Sequence, residues 1–264
     1  MKKIIEFSQS RLPFSIEEMQ AYNYLKSNGL RIFPHPFTRK YKHMSFSVQF
    51  EDGFPYIISK GKKLFFKQNW SEERVNSYYR DLIMEQDPES PHLYCDKSFF
   101  PSENDILIDI GVAEGSFTFE NLENSRKSFV FEKNQDWILA LTKTFQPFKE
   151  KVFITDKIVS NHSSEATIKL DDYEEFYSNS LFIKIDVDES KRVVLEGMKN
   201  IIMTNEKIRI VICTYHNQID YDEFVDFFKS FGFNHSTNPG FMVFYHDKKQ
   251  QKPYLRKGVL RVWR

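Results

Sequence analysis

The sequence predicts an α/β protein built on a doubly wound, mostly parallel sheet, and three observations carry that reading. From Asp105 onward, short apolar runs alternate with helix-patterned stretches, the rhythm of parallel strands joined by crossing helices. The first run, D-I-L-I-D-I at 105–110, enters a glycine-spaced turn, G-V-A-E-G at 111–115, and the next ends in a carboxylate, Glu132. The chain has 264 residues, enough for one large sheet domain and a smaller appendage.

The elements follow in order. Residues 1–95 read as an N-terminal α+β appendage or cap, and residues 96–264 as the sheet domain. Ser15 with Glu18 three residues on marks the start of a short helix to Leu25. After the Pro-interrupted segment 33–37, runs at 44–50, 56–59 and 63–66 predict small antiparallel strands joined through Asp52-Gly53 and Lys60-Gly61. A helix over 71–86 follows, closed by prolines at 88 and 91. In the sheet domain, strands are expected at 105–111, 128–132, 151–155, 181–186, 208–214 and 241–246. Helices are expected at 115–124, 134–146, 190–202 and 220–231, and 156–173 reads as a strand-turn-strand excursion. The runs G-F-M-V-F-Y-H-D and G-V-L-R-V-W-R predict a terminal hairpin that adds an antiparallel strand to the sheet.

Composition narrows the function classes. Hydrophobic residues make up 41% and charged residues 28%, ordinary for a globular protein, and 27 Phe predict a well-filled core. A formal net charge of zero argues against a general affinity for nucleic acid or acidic membranes. Lys60, Lys62 and Lys63 read as a solvated face. Cys95 and Cys213 form no C-x-x-C pair, so neither a disulfide framework nor a zinc site is expected. With no signal-type N-terminus and no run long enough to span a bilayer, a cytoplasmic protein without membrane insertion is expected.

Ligands of open α/β sheets bind beyond the carboxyl ends of the strands, so the residues there are the candidates. Asp109, Gly111 and Gly115 close the first strand. The turn lacks the second glycine that a G-x-G-x-x-G loop would place at 113, and it carries Glu114. An acid there is a poor neighbour for a pyrophosphate and a tolerable one for S-adenosylmethionine, a cofactor with no phosphate and a positive sulfonium. Glu132 is suited to accept from two ribose hydroxyls, against the plainer reading of a surface glutamate at a strand end. Asp156 follows the third strand, where it could accept from an adenine amine or serve only as a loop residue. Asp186 and Asp188 end the fourth strand and point the same way in extended geometry. His216, at the tip of the fifth, suits removal of a proton from an acceptor hydroxyl. The competing role for His216 and Asp188 is capping the next helices.

Taken together, D-I-L-I-D-I-G-V-A-E-G-S-F, F-V-F-E, L-D-D-Y at 170–173, F-I-K-I-D-V-D before V-L-E-G-M-K-N, and V-I-C-T-Y-H resemble the FkbM-type S-adenosylmethionine-dependent methyltransferases. The resemblance covers most of the chain beyond about residue 50 and extends upstream to E-Q-D-P-E-S-P-H-L-Y at 85–94. It implies a Rossmann-like class I methyltransferase sheet and S-adenosylmethionine held by Asp109, Gly111, Gly115 and Glu132. It also implies a small-molecule or glycan acceptor methylated at a hydroxyl. His216 is then the first choice of base and Asp186 the second, with no metal assigned; His92 either lines the acceptor side or is structural. Related sequences continue E-G-A-E after K-I-D-V, whereas this chain reads D-E-S-K at 188–191. That departure motivates a second reading, a cofactor-binding protein with lost or altered catalysis. A nicotinamide-dependent oxidoreductase is disfavoured by Glu114 and the missing glycine.

Overall fold

The computed structural model describes residues 2–9, 13–188, 190–245 and 251–264. Its helices are α1 (Lys2–Ser8), α2 (Ile16–Asn28), α3 (Glu72–Glu85), α4 (Ser116–Glu120), α5 (Gln135–Phe145), α6 (Glu175–Ser178), α7 (Lys191–Gly197), α8 (Lys199–Thr204) and α9 (Asp220–Ser230). The strands are β1 (Gln49–Glu51), β2 (Phe54–Ser59), β3 (Lys62–Phe65), β4 (Ile106–Ile110), β5 (Lys127–Phe131), β6 (Val152–Thr155), β7 (Ile158–Val159), β8 (Thr167–Ile168), β9 (Leu181–Ile185), β10 (Ile208–Cys213), β11 (Asn234–Ser236) and β12 (Val259–Trp263).

The main sheet has seven strands in the order β11-β12-β10-β9-β4-β5-β6. Starting at β4, the chain moves outward through β5 and β6, then returns to β9 on the other side of β4. The strand order therefore reverses between β4 and β9, the kind of position where open α/β sheets bind ligands. Both strands are buried along their whole length, as parallel strands covered on two faces must be. Their parallel register sets Asp109 opposite Lys184 and Ile110 opposite Ile185. β12 runs antiparallel to β10, since Thr214 N–H bonds the Gly258 carbonyl at the end of β10 and Arg264 N–H bonds that of Ile208 at its start.

Contacts divide the chain into two compact units. One comprises Met1–Met44, Asp81–Asp96 and Val211–Val262; the other comprises Ser45–Arg80, Lys97–Ile210 and Trp263–Arg264. In the first, Ser15 Oγ accepts from Glu18 N–H at 3.2 Å and Glu18 returns a bond to Ser15 N–H at 2.8 Å, the expected capping box of α2. In the second, β1, β2 and β3 form the antiparallel meander read from the sequence. Its two-residue loops put Asp52 and Gly53, then Lys60 and Gly61, at positive φ, the geometry that matches strand twist in hairpins.

Two family-like motifs prove to be packing devices. Asp171, in L-D-D-Y, accepts from the N–H groups of Asn200 and Ile201 at 3.1 and 3.0 Å and so caps α8. Gly197, in V-L-E-G, lets α7 meet the backbone at Ser160, whose oxygen a Cβ there would approach to 1.9 Å. At the amino ends of the strands, Asp105 accepts from Ser102 N–H, Ser180 Oγ and Arg209 Nη2, joining the starts of β4 and β9 to β10.

The sequence reading fails at the terminal hairpin. No strand forms over 241–245, and residues 246–247 of that run lie outside the described residues. Met242 makes only an isolated bridge with Arg256 and packs with Phe33, Phe37 and Tyr41. Val243 donates to the Ile32 carbonyl and packs with Ile4, Tyr22 and Leu25. The apolar alternation thus serves the N-terminal helices. β11 is instead the polar Asn234–Ser236. The excursion at 156–173 forms two short strands, β7 and β8, that pair in parallel.

Candidate cofactor site

The turn after β4 adopts left-handed backbone at every second residue: φ is 77° at Gly111, 50° at Ala113 and 85° at Gly115. The two glycines are required for different reasons. A Cβ at Gly111 would lie 2.0 Å from the Asp186 carbonyl oxygen, so this glycine lets β4 and β9 separate no further than a backbone contact. A Cβ at Gly115 would lie 2.7 Å from Leu141 and 2.9 Å from Phe145, so this one seats the turn on α5. Ala113 holds the conformation that a second glycine would take freely, at a cost of roughly 1–2 kcal/mol.

Glu132 braces that conformation. Its Oε2 accepts from Ala113 N–H at 2.9 Å, and its Oε1 accepts from Lys133 and Asn134 N–H at 2.9 and 2.8 Å. A carboxylate has about four acceptor positions, so Glu132 keeps capacity on Oε2 for a further donor. The side chain is half-buried, open enough to meet a ligand.

Asp109 sits beneath the turn and is fully buried. Its Oδ2 accepts from Thr118 Oγ1 at 2.8 Å. Its Oδ1 lies 3.1 Å from Lys184 Nζ, a charge contact outside hydrogen-bond alignment. Lys184, itself 4% exposed, donates instead to the Gly111 carbonyl at 2.6 Å. Burial pushes the Asp109 carboxyl above its ordinary value, and the Lys184 charge opposes the shift. Asp109 thus supports the turn from beneath.

Glu114 turns inward and is 3% exposed. Its Oε2 accepts from Tyr78 Oη at 2.8 Å and its Oε1 from Ser116 Oγ. Burial raises its pKa, against the hydrogen bonds from Ser116 and Tyr78 and the charge of Lys184. Tyr78, from α3, is a contributor to the turn that the sequence did not single out.

The remaining sequence candidates lie at strand ends. Asp156, after β6, has an exposed side chain. Asp186 follows β9 and donates its N–H to the Ile110 carbonyl at 3.0 Å. Asp188 is exposed, and its carbonyl accepts from the buried Lys191 at 2.8 Å; Glu189, within the D-E-S-K departure, lies outside the described residues.

In the other unit, His216 stacks on Tyr215 with ring centroids 4.0 Å apart and meets Phe244 edge-on at 5.3 Å. Arg256 fixes this loop by donating to the carbonyls of Tyr215 and His216 at 2.8 and 2.7 Å. His92 is buried, with Nε2 3.6 Å from Cys213 Sγ and its ring against Tyr94 and Tyr215. Both cysteines are free thiols.

Among solved structures, the chain is similar to the methyltransferase FkbM from Methylobacillus flagellatus, with a TM-score of 0.51 and 14% identity over 72% of this chain and 52% of that one. The fold is that of a Rossmann-like methyltransferase. The chain spans about half the length of the FkbM structure it matches. Looser similarity is found to a precorrin-6y C5,15-methyltransferase from Geobacter metallireducens, with a TM-score of 0.42 and 14% identity over 62% of this chain and 81% of that one. The M. jannaschii tRNA m1G37 methyltransferase gives a TM-score of 0.42 and 11% identity over 81% of this chain and 58% of that one. No family model matches the sequence, and no curated protein matches it. Among the described residues, no helix is long and apolar enough to cross a membrane.

Proposed function

We propose that this chain is an S-adenosylmethionine-dependent methyltransferase of the FkbM type, methylating a hydroxyl on a glycan or secondary-metabolite acceptor. The observation that carries the reading is the turn at 111–115, left-handed at 111, 113 and 115 and braced by Glu132. The residues suit that cofactor: Gly111 lets the turn lie directly against the end of β9, and Glu132 retains an open acceptor position at the turn. The buried Glu114 would oppose a pyrophosphate and does not oppose a ligand without one.

When bound, the cofactor supplies a methyl group on a sulfonium, open to in-line attack. The protein's part is then to align the acceptor oxygen, exclude water and take the hydroxyl proton. We assign the proton to His216, with Asp186 as the alternative base, ribose recognition to Glu132 and the adenine edge to Asp156. The acceptor side falls to residues 1–95.

Calorimetry with S-adenosylmethionine, S-adenosylhomocysteine and NAD tests the cofactor assignment. Binding of the first two without NAD supports it, and binding of NAD alone removes it. Glu132→Ala should weaken S-adenosylhomocysteine at least tenfold; unchanged affinity would reject the ribose role. The D-E-S-K sequence at 188–191 favours one second reading, a cofactor binder with altered catalysis. Lost turnover in His216→Ala with binding intact supports the enzyme, whereas unchanged turnover rejects His216 as the base.

A further inference from the structure

We propose that Lys184 is a positioning residue of the cofactor turn, fixing the Gly111–Val112 peptide so that its N–H is presented to the ligand. The inference rests on the proposed cofactor site and deepens it. Lys184 comes from β9, not from the turn, and its Nζ donates to the Gly111 carbonyl at 2.6 Å. In a planar trans peptide the C=O and N–H point in opposite directions. A carbonyl drawn toward Lys184 therefore turns the Val112 N–H away from it, and among the described residues nothing accepts from that N–H. Four neighbouring donors are committed: Gly111 N–H to the Phe131 carbonyl, Ala113 N–H to Glu132, Gly115 N–H to the Val112 carbonyl and Ser116 N–H to Glu114.

A buried ammonium is costly without a counter-charge, and Asp109 supplies one at 3.1 Å. Asp109 is in turn fixed by Thr118, at 2.8 Å. The division of labour is specific: Asp109 gives Lys184 its counter-charge, and Lys184 sets the peptide. If Lys184 served only as the partner of Asp109, removing both charges together would leave the turn competent.

The experiment is calorimetric titration of S-adenosylhomocysteine into wild type, Lys184→Met and the double variant Asp109→Leu with Lys184→Met, each with its melting temperature. The wild type should bind, and K184M should bind roughly 30-fold more weakly, the effect of losing one hydrogen bond made by a charged group. Replacing a buried ion pair by apolar side chains of similar volume preserves folding, so the double variant carries the test if K184M fails to fold. It should fold, with a melting temperature lowered by the unpaired Thr118 hydroxyl and Gly111 carbonyl, and still bind weakly. Recovery of wild-type affinity in the double variant, or unchanged affinity in K184M, would overturn the positioning role while leaving the cofactor assignment standing. Failure of the wild type to bind would remove the assignment, and this inference with it.

Discussion

Gly111→Ala is the sharpest test of the turn. Two costs add. At φ 77° an alanine gives up roughly 1–2 kcal/mol relative to glycine. The added methyl would also lie 2.0 Å from the Asp186 carbonyl oxygen, where ordinary contact begins at 3.4 Å, so the backbones must part by about 1.4 Å. The bond from Asp186 N–H to the Ile110 carbonyl, 3.0 Å long, spans the same junction and would stretch. Overpacking of this kind costs about 1–3 kcal/mol and a lost hydrogen bond about 1 kcal/mol. The sum is roughly 3–6 kcal/mol, a large part of a domain's total stability. Urea unfolding followed by circular dichroism should therefore show a clearly lowered midpoint, and calorimetry should show loss of S-adenosylhomocysteine binding. A midpoint within about 1 kcal/mol of wild type with affinity retained would refute both the contact and the left-handed geometry.

The converse substitution, Ala113→Gly, relieves left-handed strain but frees the unfolded chain, so its urea midpoint should stay within about 1 kcal/mol of wild type. A tenfold loss of S-adenosylhomocysteine affinity in it would mean that the Ala113 side chain itself contacts the ligand. Glu114 has a folded pKa raised by burial above the ordinary 4.5 of a glutamate, so its contribution favours folding below that pH and is lost as pH rises through the folded value. Glu114→Gln should flatten this part of the stability–pH curve above 4.5, and an unchanged curve would reject the burial argument. Arg256→Met removes the bonds to the Tyr215 and His216 carbonyls and should cost about 2–3 kcal/mol in thermal melts. A melting temperature equal to wild type would show that the loop is held by its aromatic stacking alone.

Much of the sheet was legible because parallel strands buried on two faces are written as near-continuous apolar runs, I-L-I-D-I and L-F-I-K-I each interrupted by one charge. Turn chemistry was equally plain: Asp-Gly and Lys-Gly gave the two tight hairpins, and Ser15 with Glu18 gave the capping box. The terminal strand was misplaced for the same reason that the others were found. F-M-V-F is apolar because Phe241 and Val243 pack against α1 and α2, Met242 against Phe33, Phe37 and Tyr41, and Phe244 against Tyr215, whereas β11 reads N-H-S and owes its pairing to its neighbour. In the turn after β4, the glycines that adopt left-handed backbone and the Glu132 that braces the turn were marked in the sequence. Lys184 and Tyr78 were not, because their roles depend on register and on helix placement, which a single sequence leaves unstated. Writing D-I-L-I-D-I over S-L-F-I-K-I in parallel register would have paired Asp109 with Lys184.

The polar junction at Asp105 divides the demands made on the sheet. It gathers Ser102, Ser180 and Arg209 at the ends of the strands where the chain enters the sheet, while the cofactor turn lies at the ends where it leaves. Selection can then act on the two ends separately: one tolerates change only in proportion to stability held in reserve, the other only in proportion to chemistry retained. For an engineer, the Asp105 end is the place to add robustness before the loops at the opposite ends of the strands are altered.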